Sequence, residues 1–383
     1  IRGVNSLSGG ADPLIVIDGV PIVDSDRSAV VASNPLANIN PADIESYEVL
    51  KDGSATAIFG SRAANGVILI TTKRGKAGKA QVNYNVSTGF NEAVNRFDLL
   101  SGDQFVEIAN EKRTNANQSP LANPGVNTDW QDAVLRRGTT QQHNLSISGG
   151  SENTKYFFSA GFTDQQSVVK NNDLKRYAFR SNIDHSISSK VRIGKSLSYT
   201  YTEITGLNNG ANSLSGAIYN ATRALPNVPI FDPNNTAFGG YNITANGATT
   251  GFGANLAGPD NNIPNIAYVL ENNFYRGRNH RVLGNAYAEV DIVQGLTART
   301  QVGIDLTMAD DFQTLDPRHG DGRSSNGNVY QAFNPAFRWN WQNTLNYQTV
   351  IGEDHNINAT AGVEYQYTNF YNFFAQGTDF SDE

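Results

Sequence analysis

The chain has 383 residues, of which 17% are charged, with a net charge of −7 and no cysteine. The lack of cysteine excludes disulfides, thiol catalysis and cysteine-ligated zinc, and the acidic balance argues against nucleic acid as a partner, because phosphate binding requires a basic face. The low charge and the 16 Tyr, 19 Phe and 3 Trp spread along the chain favour a mostly β protein.

The first 80 residues predict a small α+β unit. PLIVIDGVPIV (13–23) is typical of a strand, an Asp-Gly turn and a second strand, and GVILITTK (66–73) of a buried strand. Between them, NPADIESYEVLKDG (40–53) predicts a capped turn leading into a mixed segment. The run of Gly, Ala and Ser at 53–66 predicts a short helical or looped segment packed closely against the strand that follows. KRGKAGK (73–79) is interpreted as a solvated linker.

Polar and apolar residues alternate from Gln81 onward, which is the period of a β-strand with two unlike faces. The alternation predicts about nine strands of about ten residues or a little more, the length that a tilted strand needs to cross a bilayer. The predicted outward, apolar positions include Val82, Tyr84, Val86, Ile193, Leu197, Val302, Ile304, Val363 and Tyr365.

The connections between these strands are alternately short and long. Short ones are predicted at 149–155, 186–190, 292–296 and 350–355, and long ones at 91–139, 164–174, 205–272 and 308–335. An outer-membrane barrel has brief periplasmic turns and long extracellular loops, so the pattern favours a barrel. A β-sandwich or a propeller with insertions is the alternative, because its strands would also alternate.

The segment NPLANINPADIESYEVLKDGSATAIFGSRAANGVILITTKRGK (34–76) closely resembles the plug domain of TonB-dependent outer-membrane transporters of the SusC/RagA type. IRGVNSLSGGADPLIVIDGVP at the start of the chain resembles earlier strands of the same plug, and DWQD (129–132) with HNLSISGG (143–150) resembles the first hairpin region of that branch. Beyond residue 165 the resemblance is one of architecture.

The resemblance implies a plug at 1–76 and, at 80–383, the first roughly nine strands of a bacterial outer-membrane barrel that has about 22 strands in this family. We therefore expect the chain to be an excerpt of the transporter, since an open sheet of nine strands would leave two bare edges. The implied function is TonB-dependent nutrient import. The implied partners are the TonB complex, a SusD-like surface lipoprotein and outer-membrane lipid.

Arg62 is the one charged residue inside the small-residue run. A plug within a barrel leaves little water for an unpaired guanidinium, so Arg62 is predicted to pair with an acidic group. The candidates for this plug–barrel contact are Glu48 in the plug and, in the barrel, Glu289, Asp291, Asp305 and Glu364.

The long loops carry aromatic and amide side chains that would suit a glycan, because rings stack on sugars and amides hydrogen-bond to hydroxyls. The candidate substrate contacts are Tyr219, Phe231, Tyr241 and Phe252. An oligosaccharide is therefore predicted as the cargo, with a peptide as the alternative because the same side chains serve both.

Catalysis is not indicated, since the five His are dispersed and no nucleophile or metalloprotease motif occurs. No resident cofactor is expected. Two oxygen-rich loops, DPNNTAFGG (232–240) and DPRHGDGRSSNGN (316–328), could hold Ca²⁺ but lack the EF-hand spacing. A secreted carbohydrate-binding β protein and an outer-membrane enzyme are the rival functions.

Overall fold

The computed structural model describes residues 12–51, 57–123, 125–206, 215–251, 263–351 and 355–380. They form two sheets: a four-stranded sheet near the N-terminus and a large sheet whose strands follow one another along the chain. The mostly β class, with a small α+β unit followed by antiparallel up-and-down strands, is confirmed.

The small sheet has the strand order β2-β1-β4-β3. Its strands are β1 Leu14–Ile17, β2 Val20–Pro21, β3 Ile44–Leu50 and β4 Val67–Thr72, and β1 runs parallel to β4. Asp18 and Gly19 make the turn between β1 and β2 with φ angles of 48° and 84°, the left-handed conformations that a two-residue hairpin turn requires. We call residues 12–73 the plug.

The small-residue run folds into 3-10 turns at Ala57–Ala63, while residues 52–56 lie outside the described residues. Gly60 has a φ of 64° within this segment, a conformation that glycine adopts without strain. Phe59 and Ala63 pack on Val16 and Val67, and Val67 is fully buried. The thin backbone at 57–66 therefore permits close packing against the neighbouring strands, as predicted.

The large sheet, here called the wall, has nine strands in the order β13-β12-β11-β10-β9-β8-β7-β6-β5, and β14 pairs with β12 beyond the end of β13. Every pairing between these strands is antiparallel. The strands are β5 Gly78–Asn91, β6 Gly138–Gly150, β7 Thr154–Gln166, β8 Asp173–Ser186, β9 Val191–Thr205, β10 Phe274–Val293, β11 Leu296–Leu315, β12 Asn328–Ile351, β13 His355–Phe370 and β14 Phe373–Thr378.

The two faces of the wall differ in chemistry, because side chains alternate between them along each strand. The face that contacts the plug is polar, and the opposite face is apolar and exposed: Val82, Val302 and Val363 expose 62%, 47% and 68% of their surface. The predicted outward positions lie on this second face. Asn85 pairs with Asn144, which contacts the plug, whereas the neighbouring Tyr84 pairs with Leu145 and therefore lies on the opposite face.

Two predicted long connections are shorter in the structure. The connection between β7 and β8 spans 167–172, and the one between β11 and β12 spans 316–327 instead of 308–335. β10 and β11 have 20 residues each and β12 has 24. These strands continue past the apolar band, where polar residues on both faces hide the alternation that was used to predict strand ends.

Four helices lie in the long connections: α1 Gly102–Asn115, α2 Trp130–Val134, α3 Ala217–Arg223 and α4 Ile266–Asn272. α1 begins with a capping box in which Ser101 and Gln104 satisfy each other's backbone N–H groups. Within the described ranges, no helix combines the length and the apolar character needed to span a membrane.

Candidate functional site

The plug is held to the wall by buried arginines that the wall supplies. Arg281 of β10 donates from Nε and Nη2 to Asp305 of β11 at 2.9 and 2.7 Å, and both side chains are almost fully buried. Arg281 also donates to the backbone oxygens of Pro35 and Val23, and the Val23 N–H donates to Asp305 at 2.6 Å. One ion pair of the wall thus binds two plug segments.

Arg180 of β8 makes a second such junction. Its guanidinium donates to Thr72 at 3.3 Å and lies 3.6 Å from the Asp18 carboxylate and 3.5 Å from that of Asp43. Burial raises the pKa of the Asp43 carboxyl, against the opposing effect of the Arg180 charge. Asp18 also accepts from the Thr72 N–H and hydroxyl, so the end of β4 is tied to the wall through the turn after β1.

Arg62 pairs with Glu364, one of its predicted candidates, at 2.5 Å across the gap between the plug and β13. Gln366, two residues further on the same face of β13, accepts from the other guanidinium nitrogen. About a third of the Arg62 side chain and a fifth of Glu364 remain exposed. This contact is therefore weaker than a fully buried pair, because water screens it.

The other acidic candidates lie elsewhere. Asp305 faces the plug but pairs with Arg281, whereas Glu289 and Asp291 pair inside the wall with Arg192 at 2.7 Å each. Glu48 lies exposed on β3. The prediction of Arg62 partners was wrong for Glu289 and Asp291, because the register sets Glu289 directly opposite both Arg192 and Arg299 on the adjoining strands.

The long connections pack into a cap at the end of the wall remote from the short turns. Trp130 of α2 is 2% exposed, and its indole N–H donates to the Leu225 carbonyl at 3.0 Å. The core of the cap joins α2, α3 and α4, and its buried residues include Val134, Ala217, Ala221, Ile266 and Val269. Two separate connections, 92–137 and 206–273, are therefore held together by one apolar cluster.

A cavity of about 470 Å³ opens beside this cluster, between α1, α2 and α3. It combines apolar and polar side chains, including Phe97, Leu100, Gln104, Asn127 and Arg223. Sequence reasoning did not identify this cavity, since its lining comes from segments about 100 residues apart. The DWQD motif could have indicated this cavity, because its Trp130 forms part of the lining.

The predicted substrate contacts are distributed over the cap. Tyr219 on α3 and Phe231 expose 37% and 57% of their surface. Tyr241 is 9% exposed and packs between Phe231, at a tilt, and the edge-on ring of Tyr268. Phe252 lies outside the described residues. Of the four, Tyr219 and Phe231 have rings that a ligand could reach, and Tyr241 packs in the cap.

The two oxygen-rich loops show no ready cation site. The Asp316 carboxylate accepts from Arg318, and Asp232 accepts from the Asn234 N–H in an Asx turn. No cluster of three or more His, Asp or Glu that could hold a metal occurs in the part of the chain that the structure describes. Calcium binding at these loops stays a prediction.

His319 is a fully buried histidine that joins two loops of the cap. Its Nε2 accepts from the Asn265 N–H at the start of α4, and its Nδ1–H donates to the Gly247 carbonyl, both at 2.8 Å. This arrangement needs the neutral ring, and burial lowers the pKa of His319 below the ordinary histidine value.

We expect the cap around His319 to lose stability as the pH falls below the ordinary histidine pKa of about 6.5. Below this pH, His319 binds a proton when the cap is open and does not when the cap is closed, so a lower pH favours the open cap. Backbone hydrogen exchange of residues 242–251 and 265–272, corrected for intrinsic rates, should become faster when the pH is lowered from about 7.5 to about 5.5.

His319→Gln can accept and donate in the same places without titrating and should remove this pH dependence. His185→Gln, at the opposite end of the wall beside Thr154, is the matched control and should retain it. Equal protection at both pH values in the unsubstituted protein would contradict the assignment.

Comparison with known proteins finds similarity in both parts of the chain. Residues 1–67 match the TonB-dependent receptor plug domain family. TonB-dependent receptor P26 of Formosa agariphila is 33% identical over 96% of this chain, and TonB-dependent receptor SusC of Bacteroides thetaiotaomicron is 42% identical over 51% of it. The chain spans 35% of the length of P26, and the SusC match covers 20% of SusC.

Solved structures share the fold. The RagAB peptide transporter structure superposes with a TM-score of 0.80 at 23% identity, covering 100% of this chain and 44% of that one. The ferric citrate transporter FecA superposes with a TM-score of 0.54 at 12% identity, over 95% of this chain and 40% of FecA. The plug match and the relatives above show that the chain is similar to TonB-dependent receptors of the SusC/RagA type.

Proposed function

We propose that the full-length protein imports a nutrient across the bacterial outer membrane, with energy supplied through a TonB complex. The observation that carries the proposal is the pairing of a wall that exposes its apolar face with a plug held on the polar face by buried ion pairs. The apolar face of such a wall is suited to contact with lipid. On the other face, polar contacts between plug and wall can be exchanged for water when the plug moves.

The apolar face also favours the importer over a secreted carbohydrate-binding protein. Side chains such as Tyr84, Phe90 and Tyr365 expose 61%, 67% and 59% of their surface on one side of the sheet. Contiguous apolar surface of this extent is unfavourable in water and favourable against lipid. Transport without catalysis is therefore the function we propose, in preference to a secreted lectin or an outer-membrane enzyme.

We propose an oligosaccharide as the cargo, bound between the plug and the cap. Tyr219 and Phe231 offer exposed rings, and the cavity beside Trp130 adds amide, hydroxyl and guanidinium groups around an apolar floor. Such a mixture suits a sugar, whose faces are apolar and whose rim is hydroxylated. A SusD-like surface lipoprotein is the proposed outer partner, because the cap presents its loops on the side away from the short turns.

Uptake by cells that carry or lack the full-length gene tests the proposal. We expect deletion to abolish accumulation of labelled oligosaccharides, and a protonophore to have the same effect in cells that retain the gene. Loss of labelled peptide uptake instead would establish the peptide alternative. Unchanged accumulation of both classes on deletion would reject import as the function.

Arg62→Ala should loosen the plug modestly, since its partly exposed pair with Glu364 contributes on the order of 1 kcal/mol. We expect a small rise in passive entry of a membrane-impermeant dye and a partial fall in energised uptake. Arg62→Lys keeps the charge and serves as the control. If dye entry and uptake both match the unsubstituted protein at equal expression, Arg62 does not help to seat the plug.

A further inference from the structure

The plug is attached unevenly around the wall. On the side formed by β8–β12, side chains of nearly every strand bond to the plug: Arg176 to the Ala37 carbonyl, Thr202 to Asn38, Arg281 to Pro35 and Val23, Asn285 to the Asp18 carbonyl, and Arg338 to the Ile22 carbonyl. Three of these residues are arginines, and removing such a buried partner is costly. We call this side the anchored side.

The side formed by β5–β7 contacts the plug sparsely. Asn40 of the plug donates to Asn144 of β6 at 2.9 Å, and the Asp43 carboxylate of the plug lies beside the Ser159 hydroxyl of β7. Gly161 on β7 leaves room for the Asn40–Asn144 pair, since a Cβ there would lie 2.7 Å from the Asn40 amide nitrogen. Both groups of this pair are neutral amides, which exchange for water at little cost compared with a buried ion pair.

A cavity of about 820 Å³ separates the plug from this second side. On the side of the large sheet, the cavity is lined by a row of amide and hydroxyl side chains on neighbouring strands: Gln81, Asn83, Asn85, Ser146, Ser148 and Ser159. The linker that follows the plug crosses its short-turn end, where Lys73 donates to the Ala42 carbonyl and Arg74 pairs with Asp184 at 2.6 Å. The space is roomy and polar. From Gln81 onward the polar side chains that β5 and β6 contribute are uncharged, whereas Lys79 at the start of β5, the linker and the plug contribute charged groups.

The row of amide and hydroxyl side chains on these strands has the chemistry of a passage for a hydrogen-bonding solute. Neutral amides and hydroxyls offer donors and acceptors in turn, so each contact of a moving sugar or peptide can be replaced by the next. The anchored side, by contrast, is filled by arginine pairs, and the plug lies directly against it.

We propose that substrate leaves along the β5–β7 side, and that the plug opens by breaking the Asn40–Asn144 contact while it stays bound to the anchored side. The proposal rests on the proposed import function and adds the place of passage. It takes a solute of oligosaccharide or peptide chemistry, since both present closely spaced neutral donors and acceptors.

Two reversible tethers test the route, and residues 1–383 contain no cysteine that would compete with them. Asn40→Cys with Asn144→Cys ties the plug to β6, and Asn38→Cys with Thr202→Cys ties it to β9. The two pairs are matched, since each replaces one side-chain hydrogen bond of 2.9 Å, and the plug residues lie two positions apart. A short thiol cross-linker closes each tether in cells that express the full-length protein.

We expect the β6 tether to reduce energised uptake at least about tenfold, with recovery on reduction, and the β9 tether to leave it within about twofold. Block by both tethers, by neither, or by the β9 tether alone would overturn the route. If the unsubstituted protein shows no energy-dependent uptake, the proposed function itself fails; with uptake intact, the tether results bear on the route alone.

Single cysteines give a second reading that does not depend on the tethered pairs. Ser148→Cys lies on the cavity wall and Asn285→Cys on the anchored side. A thiol reagent supplied to the periplasm should label Ser148→Cys faster in energised cells and leave the rate for Asn285→Cys unchanged. Faster labelling of Asn285→Cys alone would contradict the proposed side.

Discussion

Arg281→Ala should release the plug from the middle of the wall, because it leaves the Asp305 carboxylate buried without its ion-pair partner. Arg281 and Asp305 are 4% and 0% exposed in their side chains, so water cannot replace the lost guanidinium in the closed state. Breaking such a pair costs about 3–5 kcal/mol. The same substitution removes the bonds to Pro35 and Val23.

Hydrogen exchange of residues 14–23 in the full-length protein measures this effect. Protection should fall by a factor that corresponds to about 3–5 kcal/mol, while protection of the wall strands should stay near its original level. Arg278→Ala is the matched control, because Arg278 lies on the same strand but pairs with Glu203 on the opposite face. Arg281→Leu with Asp305→Leu should recover part of the loss. Unchanged protection in Arg281→Ala would show that the plug does not depend on this pair.

Trp130→Ala should collapse the cap without disturbing the wall. The indole is 2% exposed at the centre of the cluster that joins α2, α3 and α4, and its removal leaves a large void and an unpaired Leu225 carbonyl. Truncating a buried tryptophan costs about 3–5 kcal/mol. We expect limited proteolysis to cut within 92–137 and 215–251 far faster than in the unsubstituted protein.

Trp130→Phe separates packing from hydrogen bonding in this experiment. The smaller ring fills much of the site but cannot donate to Leu225, so cleavage should rise only modestly, consistent with a loss on the order of 1 kcal/mol. Trp341→Ala, on the apolar face of the wall, should leave the cap resistant, since Trp341 donates to Thr300 far from these helices. Resistance of the Trp130→Ala cap would contradict a single joining core.

The sequence predicted the parts of the fold that depend on local alternation. In β5 the alternation is strict: Val82, Tyr84 and Val86 alternate with Asn83 and Asn85. An error of one residue in the predicted register would have exchanged the two faces of the strand. The ends of β11 and β12 were not predicted, because segments such as Ala309–Leu315 continue the strand after the apolar face has ended. Strand length there is set by cross-strand pairing, which a single segment does not display.

The candidate site was predicted less completely for a similar reason. Arg62 was expected to find a carboxylate and lies beside Glu364, but the choice among Glu289, Asp305 and Glu364 depends on register. Arg180 and Arg281 were missed, since an arginine on the polar face of a strand looks solvated until the plug covers it. The linker at 73–79, expected to be solvated, is bound in part through Arg74 and by the close approach of Gly75 to Tyr156.

We propose above all that, in the full-length protein, residues 12–73 close a pore whose wall begins at β5. The direct measurement is the conductance of the full-length protein in a planar lipid bilayer, with and without residues 1–76. We predict almost no steady current for the intact protein and a large, stable current for the variant that lacks the plug. Equal conductance of the two proteins, whether both open or both closed, would contradict the account.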